Sequence, residues 1–288
     1  MNGEYAMPTK ELLIKSSERG DLDDKYYRLS KLLLKKNMND KLLVPIGIDE
    51  NREKYYVNLF DVSSMLIGGE TGSGKSVLID SVIVSLLLKN TPNDLNFIFI
   101  DPKKIELFEY EGIPHIINSS LDGNSYSDSV KLIEEIINKR LDLFRKNKVR
   151  NIQEYNDKYE DKLAQIVIVI DEVLDMVHED KFIMLIKYIT QMGVITGVHL
   201  IMSTNMCIKE VFDKDLLDLF EYILTFDLSN KEQSKFMSMK GAEFLKVYGE
   251  AMIRVRGERI VRVQAPYISD EEIDSVVEFI KSNNSICV

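Results

Sequence analysis

Continuous apolar runs alternate with helical spacings along most of the chain. Asn96–Ile100 (NFIFI) and Gln165–Ile170 (QIVIVI) are unbroken runs rich in β-branched residues, the pattern of strands buried on both faces of a parallel sheet. Val198–Met202 and Tyr222–Phe226 are two more, and Met65–Ile67 is a short strand leading directly into Gly68 and Gly69. Leu43–Ile48 and Lys54–Leu59 read as strands joined by a turn at Asp49–Arg52. Between the strands, helical patterns cover Ser127–Asn147, Ile152–Tyr159, Lys181–Gln191 and Phe212–Phe220. Val77–Leu88 is apolar on nearly all faces, as expected of a helix sunk in a large core. This alternation predicts an α/β fold, a doubly wound and mainly parallel central sheet with flanking helices. Ala251–Val255 and Ile260–Gln264 read as a C-terminal β-hairpin turning at Gly257. A last helix starts at Ser269, where Ser269 and Glu272 have the spacing of a capping box.

Residues 1–42 have a different texture, polar and charge-rich, with a Leu/Ile spacing over Lys10–Lys36 that suggests one or two helices. They read as an N-terminal helical appendage to a domain spanning 43–288. Across its 288 residues the chain carries 37 Lys+Arg against 47 Asp+Glu, a formal net charge of -10. That balance argues against DNA binding over the whole surface and leaves room for local basic patches. Cys207 and Cys287 are the two cysteines, so a disulfide framework is not expected and a reducing, cytoplasmic setting fits. The longest apolar stretches, Val82–Leu88 and Ile166–Ile170, fall far short of the ~18 residues of a spanning helix, and the N-terminus lacks a signal-peptide pattern. Direct membrane insertion is therefore not expected.

The candidate chemistry begins at Gly69-Glu70-Thr71-Gly72-Ser73-Gly74-Lys75-Ser76, which fits G-x-x-x-x-G-K-[ST] and lies between an apolar strand and an apolar helix, as that motif requires. Glycines let the backbone curl so that its N–H groups face a phosphate, and the helix N-terminus adds positive potential. Lys75 is expected at the β- and γ-phosphates and Ser76 on Mg2+. The strand Gln165–Ile170 runs into Asp171-Glu172, a Walker B arrangement. Asp171 is expected in the Mg2+ shell, and Glu172 is expected to polarise the attacking water. Asn205, after the strand Val198–Met202, reads equally as a sensor of the γ-phosphate or as the cap of a helix from Ile208. His115, His178 and His199 have no zinc spacing and read as structural.

Together these residues resemble the motor domain of the FtsK/SpoIIIE-type DNA translocases, a branch of the RecA-like P-loop NTPases. Glu70–Val77 resembles the family's TGSGKSV, which adds Val77 to the nucleotide-binding set. Phe97–Leu107 (FIFIDPKKIEL) and the stretch from Tyr110 to His115 resemble its IDPK and GIPHL stretches, which are far more specific than a P-loop. Val149-Arg150-Asn151 with Tyr155-Asn156, Asp171–Asp175, Gly197–Leu200 and Gly241-Ala242-Glu243 also have counterparts in the family. The resemblance runs from about Leu43 to Glu278. It implies an ATP-hydrolysing motor, with ATP and Mg2+ bound between subunits of a homo-oligomeric, hexameric ring that moves double-stranded DNA. It leaves two alternatives: a nucleotide-binding adaptor or mixed-ring subunit, and a protein-secretion ATPase with the same core.

Departures from the family pattern fall on trans-acting groups. Thr204-Asn205-Met206-Cys207 stands where the family has TQRP, and an ungapped alignment puts Ile223 where it has a strand arginine. The chain ends soon after the core, which implies that anchoring and DNA-reading are either absent or supplied by a membrane-anchored or DNA-reading partner. Arg140 matches a family arginine, and Arg254, Arg256, Arg259 and Arg262 read as substitutes or as an exposed hairpin face. Lys139, Arg140, Arg145, Lys146, Lys148 and Arg150, with Asp142 as the one acid among them, form the basic run expected to touch DNA or a neighbour. The same run reads equally as a solvated helix end offsetting its own dipole.

Overall fold

The computed structural model describes residues 5–13, 27–33, 39–103, 105–119, 126–172, 180–205, 214–228, 230–255 and 260–283. The strands are β1 (Tyr27–Arg28), β2 (Leu43–Ile48), β3 (Lys54–Asn58), β4 (Ser64–Gly68), β5 (Leu95–Ile100) and β6 (Ile116–Ser119). They continue with β7 (Gln165–Ile170), β8 (Val198–Thr204), β9 (Tyr222–Thr225), β10 (Glu250–Val255), β11 (Ile260–Gln264) and β12 (Pro266–Tyr267). The helices are α1 (Lys75–Leu87), α2 (Tyr126–Asn147), α3 (Ile152–Lys158), α4 (Asp180–Thr196), α5 (Lys231–Phe236) and α6 (Asp270–Asn283), with single helical turns at Leu29–Leu32 and Lys214–Leu217.

Ten strands form one sheet in the order β3-β2-β11-β10-β9-β4-β8-β7-β5-β6. From β9 to β6 all neighbours are parallel, and from β9 back to β3 all are antiparallel. The mainly parallel sheet with flanking helices is therefore present, and the β10–β11 hairpin joins it directly. The apolar runs have no polar face because both faces are covered. Met65, Ile67, Phe97, Phe99, Val167, Val169 and Ile201 pack on one side under α1 and α6. Leu66, Ile98, Ile100, Ile166, Ile168, Leu200 and Ile223 pack on the other under α2 and α4. α1 is buried along almost its whole length, which accounts for its uniform hydrophobicity.

Several bounds differ from the sequence expectation. α4 runs on to Thr196, five residues past the expected end at Gln191, because Ile189, Gly193 and Thr196 remain buried. The helix expected over Phe212–Phe220 is one turn, Lys214–Leu217, among the described residues. Edge strand β6 and the polar helix α5 carry little apolar periodicity and were not expected. Near the N-terminus, β1 pairs in parallel with β12, and Leu13, Leu29 and Leu33 join the core under α1. At α6 the Ser269 N–H donates to Glu272 Oε2 at 3.0 Å and the Glu272 N–H to Ser269 Oγ at 3.4 Å, the capping box as expected.

Candidate functional site

The site forms where β4, β8 and β7 end side by side. Parallel strands carry their C-terminal ends to one edge of a sheet, and the loops leaving that edge are where ligands bind in open α/β folds. The loop after β4 is the glycine-rich segment Gly69–Gly74. Gly69 (φ 155) and Gly74 (φ 116) have backbone conformations that side chains rarely adopt. A Cβ on Gly69 would lie 2.8 Å from both Phe226 Cβ and Ser73 Oγ. One on Gly74 would lie 3.3 Å from the Gly249 backbone and from the Phe226 ring. Neighbours pin the loop: Gly69 N–H donates to Thr204 O (3.2 Å), Glu70 N–H to Asp227 O (2.9 Å) and Gly249 N–H to Ser73 O (3.3 Å). Lys75 is buried at the first position of α1 and folds back over the loop, its Nζ donating to the carbonyls of Gly69 (2.7 Å) and Glu70 (2.9 Å). Thr71 and Gly72 are exposed at the loop tip, and Ser76 and Val77 are half-buried in the first turn of α1.

β8 bridges the phosphate loop and the acidic pair. While Thr204 holds Gly69, Ser203 Oγ donates to Asp171 Oδ1 at 2.7 Å and accepts the Glu172 N–H at 3.2 Å. Asp171 and Glu172 are both buried at the end of β7. Glu172 has a left-handed backbone (φ 56), which is uncommon for a residue other than glycine. Burial, the largest influence, pushes both carboxyls above their ordinary values. The Ser203 hydrogen bond and the Lys75 charge pull Asp171 back, and the Lys103 charge, the Asn205 N–H and Lys75 pull Glu172 back. Asn205 lies beside Glu172, its N–H 3.3 Å from Oε2. The helix it was alternatively expected to cap lies outside the described residues. Buried polar atoms need partners, yet Ser73 Oγ, Glu172 Oε1, Asn205 Oδ1 and Thr225 Oγ1 have none among the described residues, and all four gather at this edge.

A cavity of about 250 Å³ opens beside the start of α1, lined by Gly74, Val77, Tyr248, Gly249, Gln264, Ala265, Pro266 and Tyr267. Mostly apolar and flanked by two tyrosines, it can take a flat aromatic group next to the phosphate loop. A polar cleft of about 630 Å³, with Asn58, Asn90, Asp94 and Gln165 among its lining residues, lies at the opposite edge, where β5 and β7 begin.

The basic run lies at that opposite edge, and Arg140 does not belong to it. Arg140 is buried, and its guanidinium donates to the carbonyls of Thr196, Gly197 (3.4 Å) and Ala164 (2.6 Å). Burial lowers its pKa to about 10. The expectation that it contacts DNA or a neighbouring subunit is therefore corrected. It staples α2 to the starts of β7 and β8. Its position was readable: Ile133, Ile137, Arg140 and Phe144 share one helical stripe, and all four are buried. Lys139, Arg145, Lys146, Lys148 and Arg150 are exposed. Lys139 pairs with Glu135 (3.1 Å), Arg145 with Asp142 (2.7 Å) and Arg150 with Glu154 (3.8 Å). Ile223, aligned with a family arginine, is a core residue of β9 between β4 and β10, where a charged side chain reaching another subunit has no room. Arg262 is exposed and pairs with Glu250 (2.6 Å), and Arg254 faces Ile260 across the hairpin. Arg256, Arg259, Cys207, His178 and the turn at Gly257 lie outside the described residues.

Three site residues were not singled out from sequence. Ser203 and Thr204 sit in the same tripeptide as Asn205, and their polarity at the end of an apolar strand was the available signal. Asp101, at the end of β5, takes the N–H groups of Lys103 (3.1 Å), Ile105 (2.9 Å), Glu106 (3.0 Å) and Leu107 (3.2 Å). His115 and His199 are structural, as expected. His115 contacts the Asn90 carbonyl (3.0 Å), and His199 lies between Val62 O (2.8 Å) and Gln165 Oε1 (3.1 Å).

Comparison with known proteins agrees with this fold. The model of the FtsK/SpoIIIE family matches residues 30–211. The chain is 35% identical over 257 residues to the DNA translocase FtsK of Caldanaerobacter subterraneus subsp. tengcongensis and 31% identical over 274 residues to that of Staphylococcus epidermidis. These alignments take in 87% and 88% of this chain but 36% and 34% of the relatives, so the chain spans about a third of their length. Among solved structures, the pCW3 conjugation coupling protein TcpA with ATPγS is similar at a TM-score of 0.73 and 22% identity, over 91% of this chain and 75% of that one. The cytoplasmic domain of the Thermomonospora curvata type VII secretion ATPase EccC is similar at 0.72 and 20% identity, over 96% of this chain and 34% of that one. At these identities the structural likeness is one of fold.

Proposed function

The chain belongs to the FtsK/SpoIIIE family, and from that premise we propose that it is the ATP-hydrolysing core of a motor that moves double-stranded DNA. One observation carries the reading: a phosphate loop, a buried lysine and two buried carboxylates converge on the same strand ends, joined through Ser203 and Thr204. In this reading the N–H groups of Gly69–Ser76 and the α1 N-terminus receive the phosphates. Lys75 exchanges its two carbonyl bonds for phosphate oxygens. The base enters the cavity between Tyr248 and Tyr267, against Val77. Glu172 polarises the attacking water, and Asn205, beside it, senses the γ-phosphate.

The residues present suit Mg2+, a hard cation that takes a few protein oxygens and completes its shell with phosphate and water. Ser76 and Asp171 would hold it, Asp171 being oriented by Ser203. Bound there, Mg2+ would neutralise charge developing on the transferred phosphoryl group.

The motor works as a homo-oligomeric, hexameric ring in the cytoplasm, where ATP is available and two cysteines suit a reducing setting. A net charge of -10 limits DNA contact to local patches, of which Lys139, Arg145, Lys146, Lys148 and Arg150 form one. Two titrations test this. Fluorescent ATP should bind the wild type and fail to bind Lys75→Ala. Labelled duplex DNA should bind with affinity falling linearly in log salt, by ~0.9 per phosphate contacted. Nucleotide binding without salt-sensitive DNA binding would move the cargo from DNA to protein. Native mass reports the ring.

A further inference from the structure

We propose that Lys103 is a positioning residue for the Glu172 carboxylate, an inference that rests on the ATPase reading above. Lys103 Nζ lies 4.0 Å from Glu172 Oε2. The two residues leave neighbouring strands, since β5 and β7 are hydrogen-bonded in register along their length and Ile100 faces Ile170. The loop that presents Lys103 is held firmly. The fully buried Asp101 carboxylate collects the backbone N–H groups of Lys103, Ile105, Glu106 and Leu107, each within 3.2 Å. A carboxylate with that many donors fixes the path of the loop, and with it the point from which Lys103 reaches across.

Glu172 needs such a partner. It sits in a left-handed backbone conformation that a non-glycine residue adopts only when its surroundings hold it. Among the described residues, its Oε2 receives one long bond, 3.3 Å from the Asn205 N–H, and Oε1 has no partner. Water orientation in phosphoryl transfer depends on fixed geometry, so a cation facing one oxygen selects the productive arrangement. Lys75 is engaged with the carbonyls of Gly69 and Glu70. Lys103, half exposed at the rim, is left to set Glu172.

The test measures ATP affinity with a fluorescent analogue and the single-turnover hydrolysis rate with duplex DNA present, in the full chain. It compares wild type, Lys103→Ala, Lys103→Arg and Lys75→Ala. Lys103→Ala should slow hydrolysis at least about tenfold, part of the ~10²–10⁴ that an acid–base group contributes, and should leave ATP affinity within about twofold. Lys103→Arg, which keeps the charge, should restore most of the rate. An unchanged rate in Lys103→Ala, equal losses in rate and affinity, or no rescue by arginine would overturn the proposal. If wild type binds ATP as Lys75→Ala does, or binds it without hydrolysing it, the ATPase reading itself fails and takes the proposal with it.

Discussion

Replacing Arg140 with methionine removes a buried guanidinium while keeping an apolar stem of similar reach. The guanidinium donates to the carbonyls of Thr196, Gly197 and Ala164, of which the Gly197 contact is long at 3.4 Å. Hydrogen bonds to a charged group contribute about 1.5–3 kcal/mol each, so the two shorter contacts set the scale at roughly 3–6 kcal/mol. Against this, burial lowers the guanidinium pKa from 12.5 to about 10, which at about 1.36 kcal/mol per pH unit costs roughly 3 kcal/mol for the charged form. Arg140→Met also takes this donor from the Thr196 and Ala164 carbonyls, at about 1–3 kcal/mol apiece, while Gly197 O keeps the Ile166 N–H at 2.8 Å. The net expectation is destabilisation by at least about 2 kcal/mol, read as a lower urea midpoint with an unchanged slope. Arg145→Met and Lys139→Met, on the same helix but exposed, should leave the midpoint where it is. If Arg140→Met unfolds at the wild-type midpoint yet loses DNA binding or hydrolysis, Arg140 acts on a ligand or neighbour and its role as a staple is wrong.

Other consequences are equally direct. His199 is buried with its pKa pushed down to about 4, whereas in the unfolded chain it titrates near 6.5. Between those values the unfolded chain holds the extra proton, so acid destabilises the fold. His199→Gln should flatten the pH dependence of the urea midpoint between about pH 6.5 and 4 by one proton; an unchanged slope would mean that the histidine is solvated. Ile223→Arg places an unpaired charge in the core and should cost several kcal/mol, seen as insoluble or low-melting protein; a normal Tm would restore this position as a site for a trans-acting arginine. Gly74→Ala forces a side chain into φ 116 and to 3.3 Å from Gly249 and the Phe226 ring. It should weaken binding of fluorescent ATP at least about tenfold through lost loop geometry, and a wild-type Kd would refute the loop's role.

The central fold could be read from sequence because its signals are local. Within Gln165–Ile170, Ile166–Ile170 is uniformly β-branched and apolar because both faces of β7 are covered, and the strand's bounds came out to the residue. Val77–Leu88 announced its burial by being apolar on nearly all faces, and the buried helix that forms is Lys75–Leu87. The IDPK and GIPH stretches proved to be structural as well as diagnostic: Asp101 ties its loop together, Tyr110 donates to Asp80 Oδ1 at 2.9 Å, and His115 seats on Asn90. What stayed hidden depends on tertiary contact. Composition marked residues 1–42 as polar, yet Leu13 and Leu29 reach the main core. The basic residues near Lys139–Arg150 looked uniform in one dimension, and only the helical stripe separates Arg140 from the rest. The ties of Ser203 to Asp171 and of Lys103 to Glu172 join separate strands, and no sequence spacing encodes them.

The central claim is that these strand ends hydrolyse ATP in order to act on DNA. Its most direct test is steady-state ATP turnover of the wild type and Lys75→Ala, each with and without linear duplex DNA. The account predicts turnover that duplex DNA raises several-fold and that Lys75→Ala abolishes under both conditions. Turnover that ignores duplex DNA, or that survives in Lys75→Ala, would contradict it.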